Sequence, residues 1–123
     1  MVQAMKIKVG ELEVRASLNE TGTAAGVWGI LPVTSEVNTW GDEIYFGIPL
    51  DSALENGKEV VAVGDIAFWP PGKAMCIFFG RTPVSRGNEI RPASPVSIIG
   101  RIEGDPKLLK KVKAGESILI EKA

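Results

Sequence analysis

The segment from Val63 to Ser85, VGDIAFWPPGKAMCIFFGRTPVS, constrains this chain more than any other. Two apolar runs without charge, Ile66 to Trp69 and Ala74 to Phe79, flank Pro70-Pro71-Gly72-Lys73. Short apolar runs bounded by turn residues read as strands, usually buried on both faces. Pro70 and Pro71 fix their own φ angles and Gly72 accepts φ > 0, so the connection is expected to be stiff and tightly turned. The rest of the chain has to surround this hairpin.

The N-terminal segment supplies a second hairpin with a readable register. Met5, Ile7 and Val9 alternate with polar residues, as do Leu12, Val14, Ala16 and Leu18, and the apolar parity flips across Gly10-Glu11. A two-residue loop requires that flip. With Gly10 first in a type II′ turn, Val9 pairs with Leu12, Ile7 with Val14 and Met5 with Ala16 on one face. Lys6, Lys8, Glu13 and Arg15 take the other, wet face.

A helix is expected next, with Asn19 as its cap, an apolar stripe of Ala24, Val27, Trp28 and Leu31, and Pro32 as its end. Gly22, Gly26 and Gly29 each cost about 1 kcal/mol relative to alanine, so packing must hold it. Trp28 shares the stripe and reads as a core anchor. From Val37 to Ile48 strands return, turning at Gly41-Asp42 between Trp40 and Glu43. That register puts Val37, Thr39, Ile44, Phe46 and Ile48 on a core face and Asn38, Trp40, Glu43 and Tyr45 on the other. Aromatic area mixed with amide and carboxylate suits a small binding surface, and equally a partly exposed sheet face.

Pro49 to Lys58 reads as loop, and residues 85 to 95 as a long polar loop of the kind that lines sites. Val96, Ile98, Gly100 and Ile102 alternate as a strand. Asp105-Pro106 starts a short helix ended by Gly115, and Ser117 to Glu121 forms a last strand. About eight strands and one or two short helices, without βαβ alternation or repeat, fit a mainly β, closed antiparallel barrel, read as one domain over residues 1–123.

Composition excludes more chemistry than it suggests. With no histidine, neither a Ser-His-Asp triad nor a His-built zinc site can form. Cys76 is the single cysteine, so no intrachain disulfide exists, and its place in AMCIFF reads as a buried, inert thiol. Fourteen basic residues against 15 acidic ones give a formal charge of -1, which announces no nucleic-acid partner. No secretory leader and no run long enough to span a bilayer is read, so the cytoplasm is the expected compartment and no membrane partner is expected.

The segments NTWGDEIYF (Asn38 to Phe46), GDIAFWPPGKAMCIFFGRTPVS (Gly64 to Ser85) and SPVSIIGRI (Ser94 to Ile102) resemble a family of small prokaryotic cyclophilin-like proteins. The resemblance runs over nearly the whole chain and implies a cyclophilin-like barrel. It transfers a fold and no assigned activity. True cyclophilins isomerise Xaa-Pro bonds with an arginine near an F-x-x-Q-G-G-D type segment and a histidine in the proline pocket, and this chain has neither that segment nor a histidine. Arg81, Arg86 and Arg91 are candidates for the arginine's role, and no motif chooses among them.

Three functions follow as expectations. The first is a non-enzymatic binding module for a small molecule or proline-containing peptide, with Trp40, Tyr45, Trp69 and Phe79 as walls, Glu43 and Arg81 as polar anchors, and Asn38 on the same face. The second is a prolyl isomerase, which needs an apolar proline seat and a cation that disfavours amide resonance. The third is a subunit that docks on a partner through its aromatic face. No catalytic residue and no cofactor is assigned. Asp42, Glu43 and Asp65 are oxygen ligands in principle, but two of them sit in turns where Asp is expected for local reasons, so no metal site is read.

Overall fold

The computed structural model describes residues 3–123. It is built from β1 (Gln3–Val9), β2 (Leu12–Leu18), α1 (Gly22–Ile30), β3 (Val33–Glu36), β4 (Asn38–Thr39), β5 (Glu43–Gly47), β6 (Asp65–Trp69), β7 (Ala74–Phe78), β8 (Ser97–Glu103) and β9 (Ser117–Lys122). All pairings are antiparallel, in the order β3-β9-β1-β2-β8-β6-β7-β5-β4. The Ser35 hydroxyl on β3 donates to the Gly47 carbonyl on β5 at 2.7 Å, joining the two ends of the sheet into a nearly closed barrel. Among the described residues no helix is long and apolar enough to cross a membrane.

The first hairpin has the register its parity requires: Val9 faces Leu12, Ile7 faces Val14 and Met5 faces Ala16. Gly10 holds φ at 57°, which a non-glycine residue adopts only at a cost. On the outer face Lys8 sits 3.0 Å from Glu121 and 3.9 Å from Glu13. Inside, Met5, Ile7, Ala16 and Leu18 meet Phe46, Met75, Ile77, Ile118 and Ile120 in one core.

Thr21, not Asn19, caps α1: its hydroxyl accepts the Ala24 N–H at 3.1 Å. Asn19 stands one layer behind, accepting from the Thr21 N–H and hydroxyl and donating to the Ile98 carbonyl. The Glu55 carboxylate takes the Gly22 and Thr23 N–H groups and the Thr23 hydroxyl, and these bonds hold its pKa below the usual carboxylate range. The glycine-rich helix is thus secured by side chains from outside it, and by Ala24 and Val27 buried in the barrel core. Trp28 is half-buried against that core, with the Lys122 ammonium 4.7 Å from its ring centre. Pro32 follows Leu31 through a cis peptide bond.

β6 and β7 form the expected hairpin, but Lys73 takes the left-handed conformation (φ 47°) in place of Gly72. Pro70–Gly72 make a 3-10 turn beneath the Trp69 ring. A methyl group on Gly72 would lie 2.6 and 2.7 Å from Trp69 Cζ3 and Cε3, so the glycine serves close approach and not positive φ. Gly72→Ala is expected to displace the indole and lower stability by about 1–3 kcal/mol. Tryptophan emission and a urea midpoint check this; both unchanged would refute the reading.

Every residue of β7 is buried. Met75 and Ile77 face the barrel interior, while Cys76 and Phe78 belong to a second cluster with Val61, Ala67, Ile90 and Val96. The cover over that outer face comes from the two long connections, tied by Val61 N–H to the Ile90 carbonyl and by the reciprocal Lys58–Val96 bonds. A run apolar on both sides therefore has apolar partners on both sides.

Three further details differ from the sequence expectations. β3 is a separate strand, paired with β9 from Val33↔Ile120 to Glu36↔Ser117. On β8 a bulge opposite Ile66/Ala67 breaks the alternation, so Val96 and Ile98 join the outer cluster while Ile99 and Ile102 enter the core. The segment after Asp105 is a 3-10 helix, Pro106–Lys111, capped by the Asp105 carboxylate at the Lys107 N–H.

Candidate functional site

Strand parity decides what gathers on the outer face of the β5–β7–β6 wall. Ile44 pairs with Ile77 and Phe46 with Met75 toward the core, so Glu43 and Tyr45 point outward with Cys76, and Ala67 and Trp69 join them from β6. The Gly41-Asp42 turn adds Trp40, whose N–H donates to the Glu43 carbonyl at 2.9 Å. These side chains enclose a cavity of about 280 Å³ lined by Trp40, Glu43, Tyr45, Trp69 and Cys76 on the sheet side. Pro92, Ala93 and Val96 line it from the long loop and the segment leading into β8.

Four of the seven sequence-derived site residues, Trp40, Glu43, Tyr45 and Trp69, therefore share one cavity. Asn38 lies on the same face opposite Tyr45, but exposed and outside the lining. Phe79 does not join them: it follows the parity of Met75 and Ile77 and is buried in the barrel core. Arg81 is exposed and donates to the Ser85 carbonyl at 3.1 Å, away from the cavity. Arg91 is held by Glu89, at 3.0 and 3.3 Å, and none of the three loop arginines lines the cavity. Cys76, Pro92, Ala93 and Val96 were not expected here. Cys76 carried a signal, its parity with Tyr45 across the β5–β7 pairing, which shows only once that pairing is known.

Glu43 is the chemical centre of the cavity. It is 4% exposed, and its Oε1 has no hydrogen-bond partner. Arg81, the other polar anchor expected from the sequence, is engaged elsewhere. Burial pushes the carboxyl up to about 7, with the neighbouring Cys76 thiol offsetting part of the rise. Cys76 is shifted the same way: burial first, then the adjoining Glu43, push its thiol well above the ordinary value and keep it protonated. It is a poor nucleophile for that reason. Trp69 donates its indole N–H to the Ser94 hydroxyl at 2.6 Å, which fixes the ring as a wall and ties the loop to the sheet.

Asp42 and Asp65 have local duties. The Asp65 carboxylate accepts the Ala62 N–H at 2.8 Å, and the Asp42 backbone pairs with Phe79 and Arg81. Among the described residues no three His, Cys, Asp or Glu side chains are grouped to hold a metal ion.

Antiparallel strands almost closed around an apolar interior, with the cavity outside the wall and not in the lumen, define a small barrel of the cyclophilin type. The chain belongs to the Cyclophilin-like family, whose sequence profile matches residues 3–121. Its structure is similar to the solution structure of a hypothetical protein from Archaeoglobus fulgidus, with a TM-score of 0.82 and 42% identity over 98% of this chain and 95% of that one. No curated protein matches the chain.

Proposed function

We propose that the protein is a non-enzymatic binding module that takes a small molecule or a short peptide segment in the Trp40–Glu43–Tyr45–Trp69 cavity. The observation behind this reading is the cavity itself: two tryptophans, a tyrosine and a buried carboxyl with one orphaned oxygen, brought from two strands and a turn to one concave surface. Largely apolar walls with a few placed polar groups are what small-ligand sites are made of. A volume of about 280 Å³ lies at the lower edge of the roughly 300–1,000 Å³ typical of drug-sized ligands, so the occupant is small or only partly enclosed.

Protein NMR against a library of metabolites and short proline-containing peptides tests the reading. Localised shifts at Trp40, Tyr45 and Trp69 are expected, and silence there across the library would remove it. For any hit, Trp40→Ala is expected to weaken affinity roughly tenfold, about 1.4 kcal/mol, by removing one wall.

The isomerase alternative has less support, because no lysine or arginine lines the cavity to act on a proline amide. A protease-coupled assay is expected to return the uncatalysed rate.

A further inference from the structure

We propose that the cavity is an organic-cation site, in which a small alkylammonium group seats among the Trp40, Tyr45 and Trp69 rings with its charge beside Glu43. This rests on the binding reading above and narrows it to one ligand class. Three features of the cavity lead to it.

The first is the orphaned acceptor. A buried carboxyl oxygen without a partner is a costly group to leave in a folded protein, and nothing within the described residues supplies its counter-charge. The second is the character of the walls. Trp69 spends its one polar atom on Ser94, so it offers the cavity only its ring, and Pro92, Ala93 and Val96 add no polar side chain. Aromatic faces carry negative quadrupole potential, and a cation removed from water beside such a ring is attracted to it. The third is the sign of the field. The titratable groups facing Glu43 are Cys76 from β7 and Tyr45 from its own strand, the loop side brings none, and no basic side chain lines the cavity. An anion would be set beside an acid with no basic side chain to offset it, whereas a cation meets a carboxylate and aromatic rings.

A neutral ligand fits the volume as well, so the experiment has to separate charge from shape. Choline and its uncharged carbon isostere 3,3-dimethylbutan-1-ol have nearly the same form and differ by one positive charge. Each is titrated into the full chain at pH 8 and pH 6, following the indole and backbone signals of Trp40, Tyr45 and Trp69. Choline is expected to bind at least tenfold more tightly than the alcohol at pH 8. It is expected to weaken roughly tenfold at pH 6, where Glu43, at about 7, takes up a proton. Glu43→Gln is expected to abolish the preference for choline over the alcohol while keeping its folded spectrum.

Equal binding of the two compounds by the wild type overturns the cation inference and leaves the binding reading standing. Silence from both, with shifts at the same residues from another class in the wider library, does the same. Silence from both and from the whole library removes both readings. The pH series uses the wild type alone, so it decides the matter even if Glu43→Gln does not fold.

Discussion

Gly100→Ala is expected to lower the unfolding free energy by about 4 kcal/mol or more, a size that point mutations reach only through severe steric or polar faults. Gly100 sits on β8 between Leu18 of β2 and Ile66 of β6, in the middle of the sheet order. A methyl group there would fall onto the carbonyl oxygen of Ser17, and within 3.1 and 3.2 Å of the Ser17 carbonyl carbon and the Leu18 Cα. Those are backbone atoms of a paired strand, so no rotamer change relieves the overlap. Relief requires β2 and β8 to separate, which opens the ladder from Arg15↔Glu103 to Leu18↔Gly100 and strains the bond from Asn19 N–H to the Ile99 carbonyl. Against a typical total of about 5–15 kcal/mol, that loss leaves little margin. Gly29→Ala is the matched control: nothing lies within 4 Å of its added methyl, and it is expected to stabilise α1 by up to about 1 kcal/mol. Urea unfolding of both variants checks the pair, and equal midpoints would show that close strand approach at Gly100 is not what the position requires.

Gly100 also marks the boundary of what residue order can reveal. Alternation alone put it on one face with Val96 and Ile98, but the bulge opposite Ile66/Ala67 separates them. Nothing local announces that bulge, because it arises where two strands more than 30 residues apart have to match. The first hairpin was readable for the opposite reason: its register follows from the parity flip at Gly10-Glu11 and needs no distant partner. β3 carries no local signal, because VTSE is short and mixed and becomes a strand only by lying along β9.

The same division runs through the site. Trp40, Glu43 and Tyr45 share a face by turn register and period, both local properties, and that grouping holds in the structure. Aromatic character points Phe79 toward the cavity, but the parity of its strand prevails, because Met75, Ile77 and Phe79 fill one interior. Arg81, expected as a second polar anchor beside Glu43, lies on the loop that leaves the sheet, where a backbone carbonyl holds it. The burial of Glu43 without a counter-ion is a tertiary property, since it depends on Trp69, Cys76 and Pro92 arriving from three other segments.

That buried carboxyl sets the second large effect, a stability that falls as pH rises through the mildly acidic range. In the folded protein Glu43 titrates at about 7, against an ordinary value of 4.5, so between those values the native state holds a proton that the unfolded chain has released. Stability therefore drops with rising pH across that window and levels off above 7. The span corresponds to about 3 kcal/mol in full, and about 2 to 3 kcal/mol between pH 5 and pH 8. Glu55 and Glu89 do not confuse the measurement: hydrogen bonds to Thr23 and Arg91 hold them below the ordinary range, so their contributions are lost only on acidification beneath the window. The raised Cys76 thiol acts in the same direction as Glu43, but only above its own ordinary alkaline value, beyond pH 8. Urea unfolding at pH 5, 6, 7 and 8 is expected to show the decline in the wild type and a nearly flat profile in Glu43→Gln. Parallel profiles would place the carboxylate in contact with water or a counter-charge and remove the premise of an orphaned acceptor. If the decline is present and a bound alkylammonium cancels it at pH 8, the instability of the free carboxylate and the affinity for a cation are two measurements of one missing partner.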